Sequence, residues 1–148
     1  PESSAASDVY KRQGYVKSEL SKRKIKFIHI FVNSYKQIAS FYNALDLYIV
    51  SSREEGGPKA IVESMASGVP IVSTNVGMAK DFIVDGHNGG LVENFDPEEI
   101  AKKSLEILSR KDKDVMINAA RKDVMRADWN NIARIYWDKV YKRGIKNV

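Results

Sequence analysis

The sequence predicts an α/β fold in which a Rossmann-like parallel sheet is flanked by helices. Two observations support this class. Short apolar runs of strand length end in polar residues at Asp46–Ser52 and Val69–Thr74, as buried parallel strands do. The segments between and after them space their apolar residues with a helical period, so strand and helix alternate along the middle of the chain. The chain has 148 residues, which is the size of one ordinary domain.

Local signals mark the first elements in order. The pattern predicts a short basic helix over Tyr15–Lys24, and the β-branched and aromatic run Ile25–Val32 predicts a strand. Either Asn33 or Ser34 can then cap a helix that runs from Tyr35 to Leu45.

Glycine and proline mark the next helix. Gly56 and Gly57 break the chain after the strand that ends at Ser52, and Pro58 stands where a first helical residue belongs. Gly68 stops the helix that follows.

The second half of the chain repeats the alternation. Asp96, Pro97 and Glu99 predict a capping box at the start of a helix. The expected elements after the strand Val69–Thr74 are a short helix at 79–84, a small strand at Leu91 and Val92, and helices at 98–109, 114–126 and 128–142. Residues 1–13 are expected to be a disordered or artefactual leader, and residues 14–148 a single truncated domain.

Composition excludes several classes of function. The chain has no cysteine, so it offers neither a disulfide framework nor a thiolate metal site, and the lone His29 and His87 do not make a metal centre. No apolar run approaches the roughly 18 residues of a membrane span. The formal net charge of +5 is concentrated at the two ends. Such a charge run is more often a solvated helix face than a binding surface, and nucleic acid is not an expected partner.

The loop after the first central strand carries the most specific chemistry. Ligands of doubly wound sheets bind beyond the carboxyl ends of the strands, where this loop is expected. Gly56 and Gly57 allow close approach of backbone N–H groups, and the helix that opens at Pro58 presents a positive dipole end that suits a diphosphate. Glu63 lies less than two turns into that helix, and Glu55 precedes the glycines. A carboxylate of this kind can accept both hydroxyls of a ribose.

The run SSREEGGPKAIVESMASGVPIVSTNVG resembles the signature of the retaining family four glycosyltransferases of GT-B fold. The flanking runs FYNALDLYIVSS and DGHNGGLV also lie where that family has equivalents. The resemblance covers roughly half of the chain. It implies the C-terminal, donor-binding half of a GT-B fold.

The resemblance also implies a role for each matching residue. Glu55 would be the catalytic residue in contact with the transferred sugar, and Glu63 would bind the ribose of the nucleotide. The implied substrate-binding residues are Gly56, Gly57, Pro58, Lys59, Ala60, Glu63, Asn75 and Gly77. Within this set the backbone from Gly56 to Ala60 would hold the diphosphate. No metal and no cofactor is expected.

The sequence departs from the family pattern in two ways. A second glycine and a proline stand where the family usually has a bulky residue after the first glycine, so the identity of the sugar stays open. The upstream glycine-arginine motif and the lysine after it are absent, and Arg53 or Lys59 would have to supply positive charge in their place. The acceptor-binding N-terminal domain is expected to be missing, so the fragment is expected to be inactive alone.

The expected partners are a UDP- or GDP-sugar donor, the missing N-terminal acceptor domain, and a membrane-surface or lipid-linked acceptor. The expected location is the cytoplasm, with peripheral contact at a membrane left open. Two alternatives remain at this point. One is a sugar-nucleotide epimerase, which would need an acid and base pair in the cleft. The other is a non-enzymatic nucleotide-binding or basic surface-binding module, which the charged ends favour.

Overall fold

The computed structural model describes residues 14–30, 32, 34–57 and 59–142, and divides the chain into two units at Asn33. The expected leader, residues 1–13, lies outside the described residues. In the first unit a helix covers residues 14–22, in agreement with the predicted basic helix. It ends at Lys24, which has a φ of 56°, while the N–H of Ile25 donates to the carbonyl of Leu20 at 2.9 Å. This is the left-handed helix end that usually takes a glycine.

The predicted strand Ile25–Val32 is wrong over its described residues, which have no strand structure. The side chain of Ile28 is 83% exposed, whereas a buried parallel strand would cover it. A strand needs a neighbour to accept and donate its backbone hydrogen bonds. Among the described residues, all three paired strands lie in the second unit, and none of them pairs with this segment.

The second unit is a three-stranded parallel sheet with helices on both faces. Its elements alternate as the sequence predicts. In chain order they are α1 (Tyr35–Tyr42), β1 (Tyr48–Val50), α2 (Lys59–Ser67), β2 (Ile71–Thr74), α3 (Ala79–Phe82), β3 (Gly90–Val92), α4 (Pro97–Ser109), α5 (Lys113–Val124), a 3-10 turn (Met125–Ala127), α6 (Trp129–Tyr136) and a π-helical turn (Trp137–Tyr141). The expected Rossmann-like α/β class is therefore confirmed.

Most of the predicted caps are present. The Ser34 hydroxyl accepts the N–H of Gln37 at 3.3 Å and starts α1, and Gly68 ends α2 with a φ of 76°. The capping box at α4 is only half formed. The Asp96 carboxylate accepts the N–H of Glu98 at 2.9 Å, but the N–H of Asp96, which Glu99 would accept in a complete box, donates to Asn94 at 2.8 Å.

The sheet order is β1-β2-β3, and every residue of β2 is buried because both faces of the sheet are covered. On one face Ile71 packs with Ile61 and Met65 of α2. On the other face Val72 packs with Ile107 of α4 and Met116 of α5. Within the described residues β1 has a strand on one side only, and its Ile49 is exposed. Register pairs Tyr48 with Ile71 and Val72 with Gly90, which brings the carboxyl ends of all three strands to one edge.

A buried polar residue fixes the turn before β3. Asn88 is 1% exposed, and its amide donates to the carbonyl of Phe82 at 2.9 Å and to the carboxylate of Asp123 at 2.8 Å. Its side-chain oxygen accepts the N–H of Val84 at 2.8 Å. Since all three partners lie on different segments, Asn88 joins α3 and the turn to α5.

The last helical segment, α6 and the π-helical turn after it, carries exposed apolar side chains. Trp129 is 81% exposed, and Ile135, Tyr136, Trp137 and Tyr141 are each about half exposed. No helix among the described residues is long and apolar enough to cross a membrane.

Candidate active site at the carboxyl edge of the sheet

The candidate site is built where β1 and β2 end and α2 begins. The loop 51–57 follows β1, and the loop Asn75–Gly77 follows β2. Thr74, the last residue of β2, is buried and its hydroxyl donates to the carbonyl of Ser52 at 2.6 Å. The hydroxyl of Ser52 in turn donates to the Glu55 carboxylate at 2.8 Å. A chain of two hydrogen bonds therefore connects the end of β2 to the side chain of Glu55.

The two loops touch at Gly77. Its φ is 50°, and a Cβ at this position would lie 2.5 Å from the carbonyl oxygen of Glu55 and 2.9 Å from the carbonyl carbon of Gly56. Both separations are shorter than real Cβ contacts, so only glycine permits this approach. The structure therefore brings the predicted residues Gly77, Glu55 and Gly56 together.

The glycine loop is exposed and lies before the first described turn of α2. Gly56 and Gly57 are both exposed, and a Cβ on Gly57 would meet the sulfur of Met78 at 3.9 Å. The helix is described from Lys59, with Ala60 half-buried behind it, whereas Pro58 lies outside the described residues. The first N–H groups of a helix have no partner within the helix and carry its positive dipole end. An anionic group can therefore bind here.

Glu63 lies at the start of the second turn of α2 and is half-buried. The hydroxyl of Tyr42, the last residue of α1, donates to Glu63 Oε2 at 3.2 Å. The ring of Tyr42 is buried and packs against that of Tyr48, with 5.4 Å between ring centroids. Burial raises the pKa of Tyr42, and the nearby Tyr48 and Glu63 raise it further.

The charges of both candidate carboxylates affect the pKa of Tyr48. Burial raises the pKa of Tyr48, the interaction with Tyr42 lowers it, and the negative charges of Glu63 and Glu55 raise it. The first residue of β1 thus lies within the electrostatic reach of both glutamates. The structure places Glu55 in the loop after β1 and Glu63 in α2, on opposite sides of the glycine loop.

Asn75 is placed at the same edge but has a partner of its own. Its amide donates to the Glu93 carboxylate at 2.7 Å, and its backbone N–H donates to Val92 at 2.9 Å. The side chain is therefore tied to the end of β3.

Two cations of the loop have different surroundings. The guanidinium carbon of Arg53 lies 4.5 Å from the ring centroid of Phe95, an arrangement typical of a cation–π contact. Lys59 is exposed at the start of α2. In the part of the chain that the structure describes, no group of three His, Cys, Asp or Glu residues could hold a metal ion.

Sequence reasoning missed three side chains that hold the site, namely Tyr42, Thr74 and Glu93. Each acts through a partner that is distant in sequence, and the partner becomes visible only when the packing of the helices and strands is known. The helical spacing marks Tyr42 only as an apolar residue of a helix. The one available signal is its position at the end of a helix that precedes the site.

A parallel sheet with a glycine loop, a helix N-terminus and two carboxylates at its carboxyl edge defines a Rossmann-like ligand-binding domain. The chain belongs to the family described as glycosyl transferases group 1, whose sequence profile matches residues 8–123. Its structural neighbours have the GT-B fold of glycosyltransferases.

Individual proteins agree with this family. The chain is 34% identical over 79 residues to an uncharacterized glycosyltransferase of Methanocaldococcus jannaschii, a match that covers 53% of the chain and 22% of that relative. It is similar to the C-terminal domain of a group 1 glycosyl transferase (LpcC) from Francisella tularensis, with a TM-score of 0.69 and 26% identity over 80% of the chain and 63% of that structure.

A third comparison shows the fold alone. Anabaena HepE, solved in complex with UDP-glucose, matches with a TM-score of 0.64 and 24% identity over 77% of the chain and 33% of that structure. The chain spans about a fifth of the length of the first curated relatives that it matches, for example 22% and 24%.

Proposed function

We propose that this chain is the donor-binding domain of a retaining glycosyltransferase, a transferase of the hexosyl type, and that it binds a nucleotide diphosphate sugar. In this proposal Glu55 contacts the transferred sugar, Glu63 accepts the ribose hydroxyls, and the backbone from Gly56 to Ala60 binds the diphosphate. Asn75 and Gly77 border the sugar.

One observation carries the proposal. The close approach at Gly77 holds the Glu55–Gly56 peptide against the loop after β2, and α2 is described from Lys59, three residues after Gly56. In the proposal, the Glu55 carboxylate and the N–H groups at the start of this helix contact the same ligand. The half-buried Glu63 lies on the same helix. This combination suits a ligand with a diphosphate between two hydroxyl-bearing sugars. The UDP-glucose complex of the structural neighbour HepE agrees with that ligand class.

The chemistry follows from the charge that develops in the reaction. When the bond between the anomeric carbon and the diphosphate oxygen breaks, negative charge grows on the departing diphosphate. Backbone N–H groups and a helix dipole that already point at that position stabilise the charge without reorganisation. Glu55 is negative and close to the sugar, so it can stabilise the positive charge that develops on the sugar ring. The hydroxyl of the acceptor molecule, held by the other domain, would form the new bond to the anomeric carbon, and its proton would leave with the diphosphate.

We propose that the chain alone binds the donor weakly and transfers no sugar. Arg53 stacks on Phe95 and Lys59 is exposed, so neither is anchored by a described contact with the glycine loop. An acceptor-binding domain closing on this edge would supply the acceptor and exclude water. Detectable sugar transfer by the purified chain would contradict this part of the proposal.

The test is ligand-observed NMR of the chain against UDP-, GDP- and ADP-sugars, repeated with Glu63→Ala. Selective binding of one nucleotide, lost on substitution, would support the proposal and identify the base. Glu54→Ala is the matched control, because Glu54 is an exposed acid in the same loop with no assigned role. The control is expected to bind as the unchanged chain does.

Two results would count against the proposal. Equal loss of binding in both variants would mean that the effect does not come from a specific contact of Glu63 with the ligand. Steep salt-dependent binding to anionic lipid without nucleotide affinity would favour the basic surface-binding module instead.

A further inference from the structure

The carboxylate of Glu63 has a buried hydrogen-bond donor on another helix. The Tyr42 hydroxyl donates to Glu63 Oε2 at 3.2 Å, and the two residues are 21 positions apart in sequence. Tyr42 is 5% exposed, so its hydroxyl cannot freely exchange this partner for solvent. A hydrogen bond of a buried phenol to a carboxylate is worth more than one on the surface, because water competes for it less.

The ring of Tyr42 is itself held in place. It packs against Tyr48 with 5.4 Å between centroids and an interplanar angle of 60°, and against Phe41 with 6.3 Å between centroids. Burial raises the pKa of Tyr42 above its ordinary value of about 10, so the phenol stays protonated and able to donate throughout the neutral range. The donor is therefore fixed in position and in protonation state.

A glutamate side chain on a helix surface samples several rotamers, and ordering it costs conformational entropy when a ligand binds. A fixed donor at one carboxylate oxygen removes much of that cost in advance. A carboxylate can accept about four hydrogen bonds, so the bond from Tyr42 leaves capacity for two ribose hydroxyls.

We infer that Tyr42 is a positioning residue for the nucleotide site, which orients the Glu63 carboxylate to accept the ribose hydroxyls. This inference rests on the proposed function, since it takes Glu63 as the ribose ligand. Tyr42 does not touch the ligand. Its effect reaches the ligand through Glu63, and for this reason it should act on the selectivity for ribose.

The experiment compares Tyr42→Phe with the unchanged chain in binding UDP and 2′-deoxy-UDP, with GDP and 2′-deoxy-GDP as a second pair. Tyr42→Phe keeps the ring and removes only the hydroxyl. We expect the preference for the ribonucleotide to fall by about threefold to tenfold, while affinity for the deoxynucleotide changes little. Tyr35→Phe is the control, because Tyr35 is on the same helix and is 84% exposed.

A merely structural role gives a different result. If the hydroxyl only stabilises the fold, Tyr42→Phe lowers the melting temperature and weakens both nucleotides equally, and the inference is wrong. An unchanged ratio with unchanged stability would also overturn it. If the unchanged chain binds neither pair, the proposed function fails and the inference fails with it. If Tyr42→Phe keeps the ribose preference of the unchanged chain, the inference is wrong and the proposed function stands.

Discussion

The contact between the two loops at Gly77 predicts an unusually sharp effect of adding one methyl group. Gly77→Ala places a Cβ 2.5 Å from the carbonyl oxygen of Glu55, where an ordinary carbon–oxygen contact is about 3.3 Å. The backbone of one loop must therefore move by roughly 1 Å. The residue must also keep a left-handed φ of 50°, which costs an L-residue about 1–2 kcal/mol.

The chain offers a matched control for the second effect. Gly86 also has a left-handed φ, of 74°, but among the residues that the structure describes nothing lies within 4 Å of the point that a Cβ would occupy there. Gly86→Ala is expected to lose about 1 kcal/mol, because the backbone cost is partly offset by reduced freedom of the unfolded chain. This corresponds to a fall in melting temperature of about 3 °C. Its nucleotide affinity should be unchanged.

Gly77→Ala is expected to lose at least as much stability and, in addition, to lose binding. A displacement of roughly 1 Å in a ligand-binding constellation costs about tenfold to a hundredfold in its function. Urea unfolding followed by far-ultraviolet circular dichroism measures the first effect, and titration with the nucleotide that the unchanged chain prefers measures the second. The reasoning is refuted if the Gly77 and Gly86 variants are indistinguishable in both assays.

Three further predictions test other parts of the molecule. Thr74→Val removes the hydroxyl that donates to Ser52, so the loop loses its anchor and nucleotide affinity should fall by about threefold to tenfold in a binding titration. Asn88→Ala leaves the carboxylate of Asp123 and two backbone groups without their buried partner, and urea unfolding should show a loss of about 2–4 kcal/mol. Because its folded-state pKa is raised, Tyr42 stabilises the fold fully below a pH of about 10 and loses this contribution above it, which urea unfolding across that range should show.

Each of these predictions has a control or a contrary result. Ser73→Ala removes a buried hydroxyl that bonds within its own strand, so it should reduce stability without reducing affinity. Asn130→Ala changes an exposed asparagine and should be nearly neutral. Tyr42→Phe should lose less stability than the unchanged chain above a pH of about 10, and an identical pH profile would contradict the assigned burial effect.

The order of elements in the second unit could be predicted because each element has a local signal. The Ser34 and Asp96 caps and the Gly68 stop act within one turn of the helix that they mark. The strand predicted at Ile25–Val32 had a strong local pattern and still failed. Strand structure depends on a pairing partner, and the neighbours of a strand in a doubly wound sheet are often far away in sequence.

The candidate site, too, could be predicted from the sequence only in part. The position of Glu55, Gly56 and Gly77 at one edge follows from parallel topology, which the sequence predicts. The hydrogen bonds that hold them do not follow from topology. The pair Tyr42–Glu63 depends on how two helices pack, and the pair Asn75–Glu93 depends on the register of β2 and β3, so neither follows from the order of the elements alone.

The open side of β1 has a practical consequence for handling the protein. Within the described residues this strand lies at the edge of the sheet, and the side chain of Ile49 is 46% exposed beside it. Unpaired backbone groups next to an apolar side chain can recruit the same edge of a second molecule. The short length of β1, three residues, limits each such encounter to a few hydrogen bonds. Self-association should therefore be weak and reversible. It should increase with protein concentration and should not grow during incubation, and a charged residue in place of Ile49 should suppress it.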